Sequence, residues 1–393
     1  MTDKPVIVAG AGVGGLAAAV ALAKAGKRVV VVERAPRLQE VGAGLQLSPN
    51  ATRRLAKWDA LDALAGKATA PEVVEIRRGR DGAKLAEIPV GEALSRWGAP
   101  YLVAHRADLL NALAAAVARH PAIELRLASA LDGWKAADDG VVVHLDSGET
   151  VAGVALIGAD GVRSRVREGL GLIDGDTPRF SGLTAWRTLI AADAVEARFR
   201  APRGALWLGS GAHLVHYPLR GGSVINVVAI IPEPWSERQG QDFWSSEGEA
   251  HILISRYDGW DKAARDLIAA APQWRRWPLF VRRALTRWSR GPVALLGDAA
   301  HAMAPFLAQG AAQAIEDADA LGAGFAQHPG DVGKALEAYE ARRIARATRI
   351  QRASRMQGRV YHLGGPAAFA RETAMRAIGP EGMARASDWI FRE

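Results

Sequence analysis

Two hydrophobic rhythms alternate along the chain. Pro5–Ala9 is a continuous apolar run, Gly10–Gly15 is glycine-rich, an Ala/Leu-rich stretch continues to Ala25, and Val29–Val32 is β-branched throughout. That order predicts strand, tight turn, helix and strand, the opening of a βαβ unit. Ala107–His120 has the composition of a helix, while Ile123–Leu127, Val141–Leu145 and Val154–Ile157 read as strands. From Ser181 to about Ile231 the rhythm changes to strand-like segments (LTAWRTLI, ALWLG, HLVHYPL, SVINVVAI) separated by Gly and Pro turns, the pattern of an antiparallel sheet. The first rhythm then resumes, with a buried strand at Val293 and helices over Gln309–Phe325 and Asp331–Gly358. The expected fold is α/β: a Rossmann-like domain over 1–72, 100–178 and 290–360, an inserted antiparallel-sheet domain over 73–99 and 179–289, and C-terminal helices over 361–393.

Composition narrows the chemistry. The 393 residues are 49% apolar, enough to bury a large core in two domains. With no cysteine, the chain has no disulfide, thiolate nucleophile, sulfur-ligated metal or cysteinyl cofactor attachment, and no metal site is expected. A net charge of +8 suits nucleic acid, a membrane surface or an anionic small molecule. Much of it lies in Lys334–Arg359, where Arg346, Arg349, Arg352 and Arg355 recur beside Ile344, Ala347 and Ile350. This reads as one amphipathic helix with a solvated basic face. No zinc-finger spacing, RNP-like motif or basic arm accompanies it, so nucleic acid is not an expected partner. The apolar run after Lys4 is broken by glycines and contains Lys24, unlike a signal peptide, and no stretch reaches the roughly 18 to 20 apolar residues of a membrane span. A cytoplasmic monomer or homodimer is expected.

Gly10-Ala11-Gly12-Val13-Gly14-Gly15 fits G-x-G-x-x-G. Gly10 permits the tight turn, Gly12 lets backbone approach a pyrophosphate, and Gly15 allows close packing of helix on strand. The motif follows a strand and opens a helix, and Glu33 ends the second strand, where a carboxylate can accept ribose hydroxyls. A dinucleotide is implied, NAD or FAD. Later, a buried strand runs into Gly297-Asp298, a Pro305-bearing loop follows, and Gly310-Ala311-Ala312 opens a helix. Asp298 can hold a ribityl hydroxyl or cap a helix, and N–H groups at a helix start can face a flavin ring oxygen.

Together GAGVGGL, VVVVER, GAGLQLSPN, HRADLL, GADGVRSRVR and LLGDAAHAMAPFLAQGAAQAIEDA resemble the single-component FAD-dependent aromatic hydroxylases, in particular the salicylate hydroxylase, 3-hydroxybenzoate 6-hydroxylase and 6-hydroxynicotinate 3-monooxygenase branch. The resemblance runs from Val6 to the closing DWIF. It implies that the Rossmann-like domain binds FAD non-covalently, that NADH or NADPH is the co-substrate, and that one oxygen atom of O2 is transferred to an aromatic ring through a flavin C4a-hydroperoxide while the other leaves as water. It further implies that Gly10, Gly12 and Gly15 face the pyrophosphate and that Glu33 and Arg34 meet the adenosine end. Arg106 would lie near the phosphates. Asp160 would serve FAD and NAD(P)H, or else cap Val162–Arg167. Asp298 would hold the ribityl chain, Pro305 would lie near the flavin, and Gly310, Ala311 and Ala312 would lie against the ring with Gln46 and Leu127.

His213 and Tyr217 resemble the branch's H-x-x-x-Y-P segment, whose His and Tyr contact the substrate hydroxyl. Strand alternation puts them on one face and His216 on the other. They are the expected catalytic pair for a phenolic or N-heteroaromatic carboxylate. Arg187 suits a carboxylate or a structural ion pair equally. The alternatives are a flavin monooxygenase or epoxidase of a larger polycyclic, quinolone or isoprenoid substrate, an NAD-dependent dehydrogenase, and a non-enzymatic basic scaffold.

Overall fold

The computed structural model describes residues 4–38, 44–235 and 246–393. A six-stranded sheet holds, in order, Ser289–Arg290, Val293–Leu295, Ala155–Gly158, Val6–Ala9, Val29–Val32 and Ile123–Arg126. All neighbours are parallel except the first pair. Val6–Ala9 and Val29–Val32 are buried at every position, as strands covered on both faces must be. The helix Val13–Lys24 is likewise buried almost all round, because it is wedged between this sheet and the helix Gly310–Gln327. Small residues set that spacing: a Cβ on Gly322 would stand 2.8 Å from the Ala21 carbonyl oxygen.

The second large sheet has eight strands: Ser246–Gly248, Trp274–Val281, Arg179–Ala191, Val224–Pro232, Ala212–Leu219, Arg203–Gly209, Val73–Arg78 and Lys84–Ile88. It is mixed where a purely antiparallel sheet was expected. Val73–Arg78 pairs in parallel with Arg203–Gly209, because it enters the sheet long before the meander begins and needs no hairpin to reach it. Period-2 alternation separates the two faces. Trp186, Trp207, Leu214, Ile225 and Val227 bury against Leu253 and Leu267 of two short helices. Ala185 and Ile230 bury against Ala304 and Phe306 of the Pro305 loop. Tyr217 and Leu219 pack with Tyr101, Ile390 and Phe391, so the C-terminal helix Gly365–Phe391 also covers this face.

The basic stretch is the helix Val332–Tyr361, and it departs from the expected solvated face. Arg352 and Arg355 are exposed, but the Arg346 side chain is only 11% exposed. Glu316 and the Trp389 and Ile390 carbonyls capture its guanidinium, and Arg349 stacks 4.1 Å over Trp389. No described helix is long and apolar enough to cross a membrane.

Candidate active site

The glycine turn is explained by its contacts. Gly10 has φ +102°, a region that strains any side chain, and a Cβ there would stand 2.6 Å from the Ala159 oxygen. A Cβ on Gly15 would lie 1.8 Å from the Gly10 oxygen, whereas one on Gly12 would meet nothing within 4 Å. Gly10 and Gly15 are therefore demanded by the protein's own backbone. Gly12 faces open space at a helix start, where N–H groups without helical acceptors attract an anion.

Glu33 accepts the Ala11 N–H at 2.7 Å and the Ala35 N–H at 2.9 Å. It braces the turn, and each oxygen retains a second acceptor position for a ribose. Arg34 is exposed beside it. Leu127 follows the neighbouring edge strand, where Ala128 N–H bonds the Ala35 oxygen. It groups with Glu33, four strand spacings, or about 19 Å, from the strand that leads into Asp298. This placement departs from the ring contact expected of Leu127.

Asp160 accepts from Ser164 Oγ and from Val166 N–H at 3.2 Å, and Ser164 in turn caps the helix Arg165–Leu170 through Arg167 N–H. Burial pushes the Asp160 carboxyl above the usual range. Ser164 is therefore the cap of that helix, and Asp160 supports it through the cap's hydroxyl. Asp298 differs: its side chain is exposed while Gly297 and Ala299 on either side are buried.

The Gly297 turn is held from beneath. Asp317 Oδ2 takes the Gly297 N–H at 2.9 Å and lies 2.6 Å from His301 Nε2, while Asp317 Oδ1 accepts Arg343 Nε at 2.7 Å. His301 is thus a buried structural residue. Glu316 accepts from Asn50, Gln313, Arg343 and Arg346. Gln309 donates to Ser48 Oγ at 2.9 Å and accepts from Asn50, tying the start of the Gly310 helix to the Ser48-Pro49-Asn50 segment. Burial alone would raise both carboxyls, but the surrounding cations outweigh it and hold Glu316 and Asp317 at about 2. At the helix start itself a Cβ on Gly310 would meet open space, and Ala311 is half-buried. Ala312 is fully buried in the core and offers no surface to a ligand, contrary to expectation.

A two-stranded sheet of Gly44–Leu47 and Leu102–His105 meets the eight-stranded sheet at Tyr217. Gly44 donates its N–H to Asn226 Oδ1 at 2.7 Å, and a Cβ on Gly44 would stand 2.9 Å from the Tyr217 hydroxyl. Glycine here lets the strand Gly44–Leu47 press against the larger sheet. Gln46 accepts the Tyr101 hydroxyl at 2.5 Å, and Arg106 opens the helix that follows the paired strand Leu102–His105. Gly42 and Ala43 of the same motif lie outside the described residues.

His213 and Tyr217 share one face, 2% and 4% exposed, while His216 faces the opposite core beside Phe199 and Trp207. His213 Nδ1 lies 2.7 Å from His362 Nε2, and its ring stands 5.5 Å from both Phe306 and Tyr361. Pro305 is half-buried next to that Phe306. Burial, aided by His362, pushes the His213 imidazole well below its usual range, so it is neutral near pH 7. Burial raises the Tyr217 phenol despite the opposing charge of Arg187, so it keeps its proton. One group is held as a neutral imidazole and the other keeps a proton to donate in a hydrogen bond. The sequence did not single out Asn226, Tyr101 or His362, which carry no motif and reach the site only through the fold, and it gave no role to Asp317, which lies near the end of the Leu295–Ala318 motif.

The chain is similar to known proteins over nearly its whole length. The FAD binding domain model matches residues 3–354. The 3-hydroxybenzoate 6-hydroxylase of Polaromonas naphthalenivorans is 37% identical over 396 residues, covering 99% of this chain and 96% of that protein. The 6-hydroxynicotinate 3-monooxygenase of Bordetella bronchiseptica is 35% identical, covering 90% and 91%. Klebsiella pneumoniae HpxO, solved with FAD and uric acid, superposes with a TM-score of 0.84 at 25% identity, covering 98% of this chain and 95% of that one.

Proposed function

The chain belongs to the FAD binding domain family, and from that membership we propose that it is an NAD(P)H-dependent hydroxylase of a small phenolic or N-heteroaromatic carboxylate. Its residues suit FAD. Gly12 leaves room for the pyrophosphate, Glu33 offers acceptors to the ribose, Asp298 presents an exposed carboxylate for the ribityl chain, and the open start of the Gly310 helix suits a ring oxygen. When bound, FAD supplies the electron and oxygen transfer.

The observation that carries the substrate reading is the placement of neutral His213 and protonated Tyr217 on one sheet face. Tyr217 donates a hydrogen bond to the substrate hydroxyl oxygen, and His213 accepts the hydroxyl proton, which makes the ring a better nucleophile. Ala185, Ile230, Ala304 and Phe306 keep water from that face. The net charge of +8 favours an anionic acid.

The test is NAD(P)H oxidation in air with salicylate, 3-hydroxybenzoate, 4-hydroxybenzoate or 6-hydroxynicotinate, scoring hydroxylated product against peroxide. Coupled product from one acid is expected. A flavin-bearing protein that hydroxylates none of them would remove this substrate class.

A further inference from the structure

His213 is the buried member of a histidine pair whose second member keeps part of its surface exposed. His362 follows the last turn of the Val332–Tyr361 helix and is half-exposed. Its backbone is held on both sides: the Gly211 N–H bonds its carbonyl at 3.0 Å, its own N–H bonds the Gly358 oxygen, and Arg371 bonds the Val360 and Tyr361 carbonyls just before it. The neighbouring Tyr257 hydroxyl fixes the His213 carbonyl at 2.7 Å. The 2.7 Å contact between two ring nitrogens requires one to donate and the other to accept, so each ring dictates the tautomer of its partner. Among the described residues nothing bonds the outer nitrogen of His213, Nε2.

We propose that His362 is a proton-relay residue that carries the substrate's hydroxyl proton from His213 to solvent. The proposal rests on the function argued above. The substrate O–H bond breaks as a proton joins His213 Nε2. The proton on His213 Nδ1 moves to His362 Nε2, and the one on His362 Nδ1 leaves to water. Both rings stay neutral overall and end as the opposite tautomer. Return of a proton along the same path to the product oxygen resets them. The groups facing the pair suit a transient carrier. Burial, with Arg256 and Arg371, holds the His362 imidazole down at about 4, so it does not keep the proton it receives. His213 is faced by the aromatic rings of Phe306 and Tyr361, and burial keeps the Tyr361 phenol protonated, pushed up to about 12.

Two variants separate relay from scaffold. In His362→Gln an amide oxygen still accepts from His213 Nδ1 but cannot pass a proton on; in His362→Phe the bond is lost. Proton release on substrate binding, followed with a pH indicator in the FAD-loaded enzyme, should slow about a hundredfold in both. Added imidazole should restore it, with substrate affinity in the Gln variant unchanged. Wild-type release rates in His362→Gln, with only the Phe variant impaired, would reduce His362 to a structural prop. Nitrogen NMR of the two rings tests the pair without substrate. Two neutral rings sharing one proton are expected, and a charged or unpaired His213 overturns the relay even where no hydroxylation is found. If instead the wild type hydroxylates none of the acids while the pair is seen, the functional reading is at fault.

Discussion

The glycine turn and the His213 face are built in opposite ways. The turn is a backbone device: Gly10, Gly12 and Gly15 lie within six residues and act through the absence of side chains. The His213 face is a side-chain device, assembled from Gly44, Tyr217, Asn226, Phe306 and His362, which span more than three hundred residues of chain. The first is specified by backbone geometry and should fail sharply at each glycine that backbone crowds. The second depends on several separate elements and should fail by degrees.

The largest effect tests whether the cofactor side is as local as the turn suggests. Arg343→Met removes an arginine that bonds both buried carboxylates, Glu316 and Asp317, so stability should fall by about 3 to 5 kcal/mol in denaturant titration. FAD affinity should fall with it, because Asp317 holds the Gly297 turn. Unchanged FAD binding would show that the turn is independent of the network beneath it.

Next come the glycines. Gly15→Ala should cost about 1 to 3 kcal/mol or more, since its Cβ meets backbone that cannot step aside. Gly12→Ala should leave the melting temperature of the flavin-free protein unchanged and weaken FAD binding about tenfold, near 1.4 kcal/mol. Equal melting losses in both would erase the division between glycines that serve the fold and the one that serves the ligand.

On the other face, Tyr217→Phe and His213→Ala should retain FAD and lose coupled product, Tyr217→Phe by about 1 kcal/mol in substrate affinity for one missing hydrogen bond. Undiminished product yield in both variants would take these residues out of the chemistry.

Acid should separate the regions most gently. The folded value of His362, about 4, lies below its ordinary 6.5, so the stabilisation it lends is complete above 6.5 and is lost as pH falls towards 4. Glu316 and Asp317, at about 2 against ordinary values of 4.5 and 3.8, lend stability that persists until the pH drops below those values and is lost towards 2. Hydrogen exchange followed with pH should therefore show the His213 face loosening before the Gly297 turn. The reverse order would contradict the assignment of charge states.

The local elements were legible because one stretch of sequence contains everything that forms them. Val29–Val32 coincides with the observed strand, and the Val13–Lys24 helix lies inside its expected bounds. The opposite facing of His213 and His216 follows from strand alternation alone. The misplacements involve residues whose role depends on a distant partner. Arg346 has the spacing of a solvated helix face, yet Glu316, thirty residues earlier, draws it inward. Ala312 and Leu127 are close in sequence to residues with a clear task, but helix phase buries one and strand order sets the other beside Glu33.

The sequence by itself determined the βαβ opening, the dinucleotide turn, the strand phase of His213 and Tyr217, and the family resemblance, since each depends on residues a few positions apart. Only the tertiary structure decided that Asp317 holds the Gly297 turn, that Gly44 presses on Tyr217, and that His362 touches His213. Burial turns these meetings into chemistry: once water is excluded, a polar group must find its partner across the fold. No local pattern encodes which partner that will be.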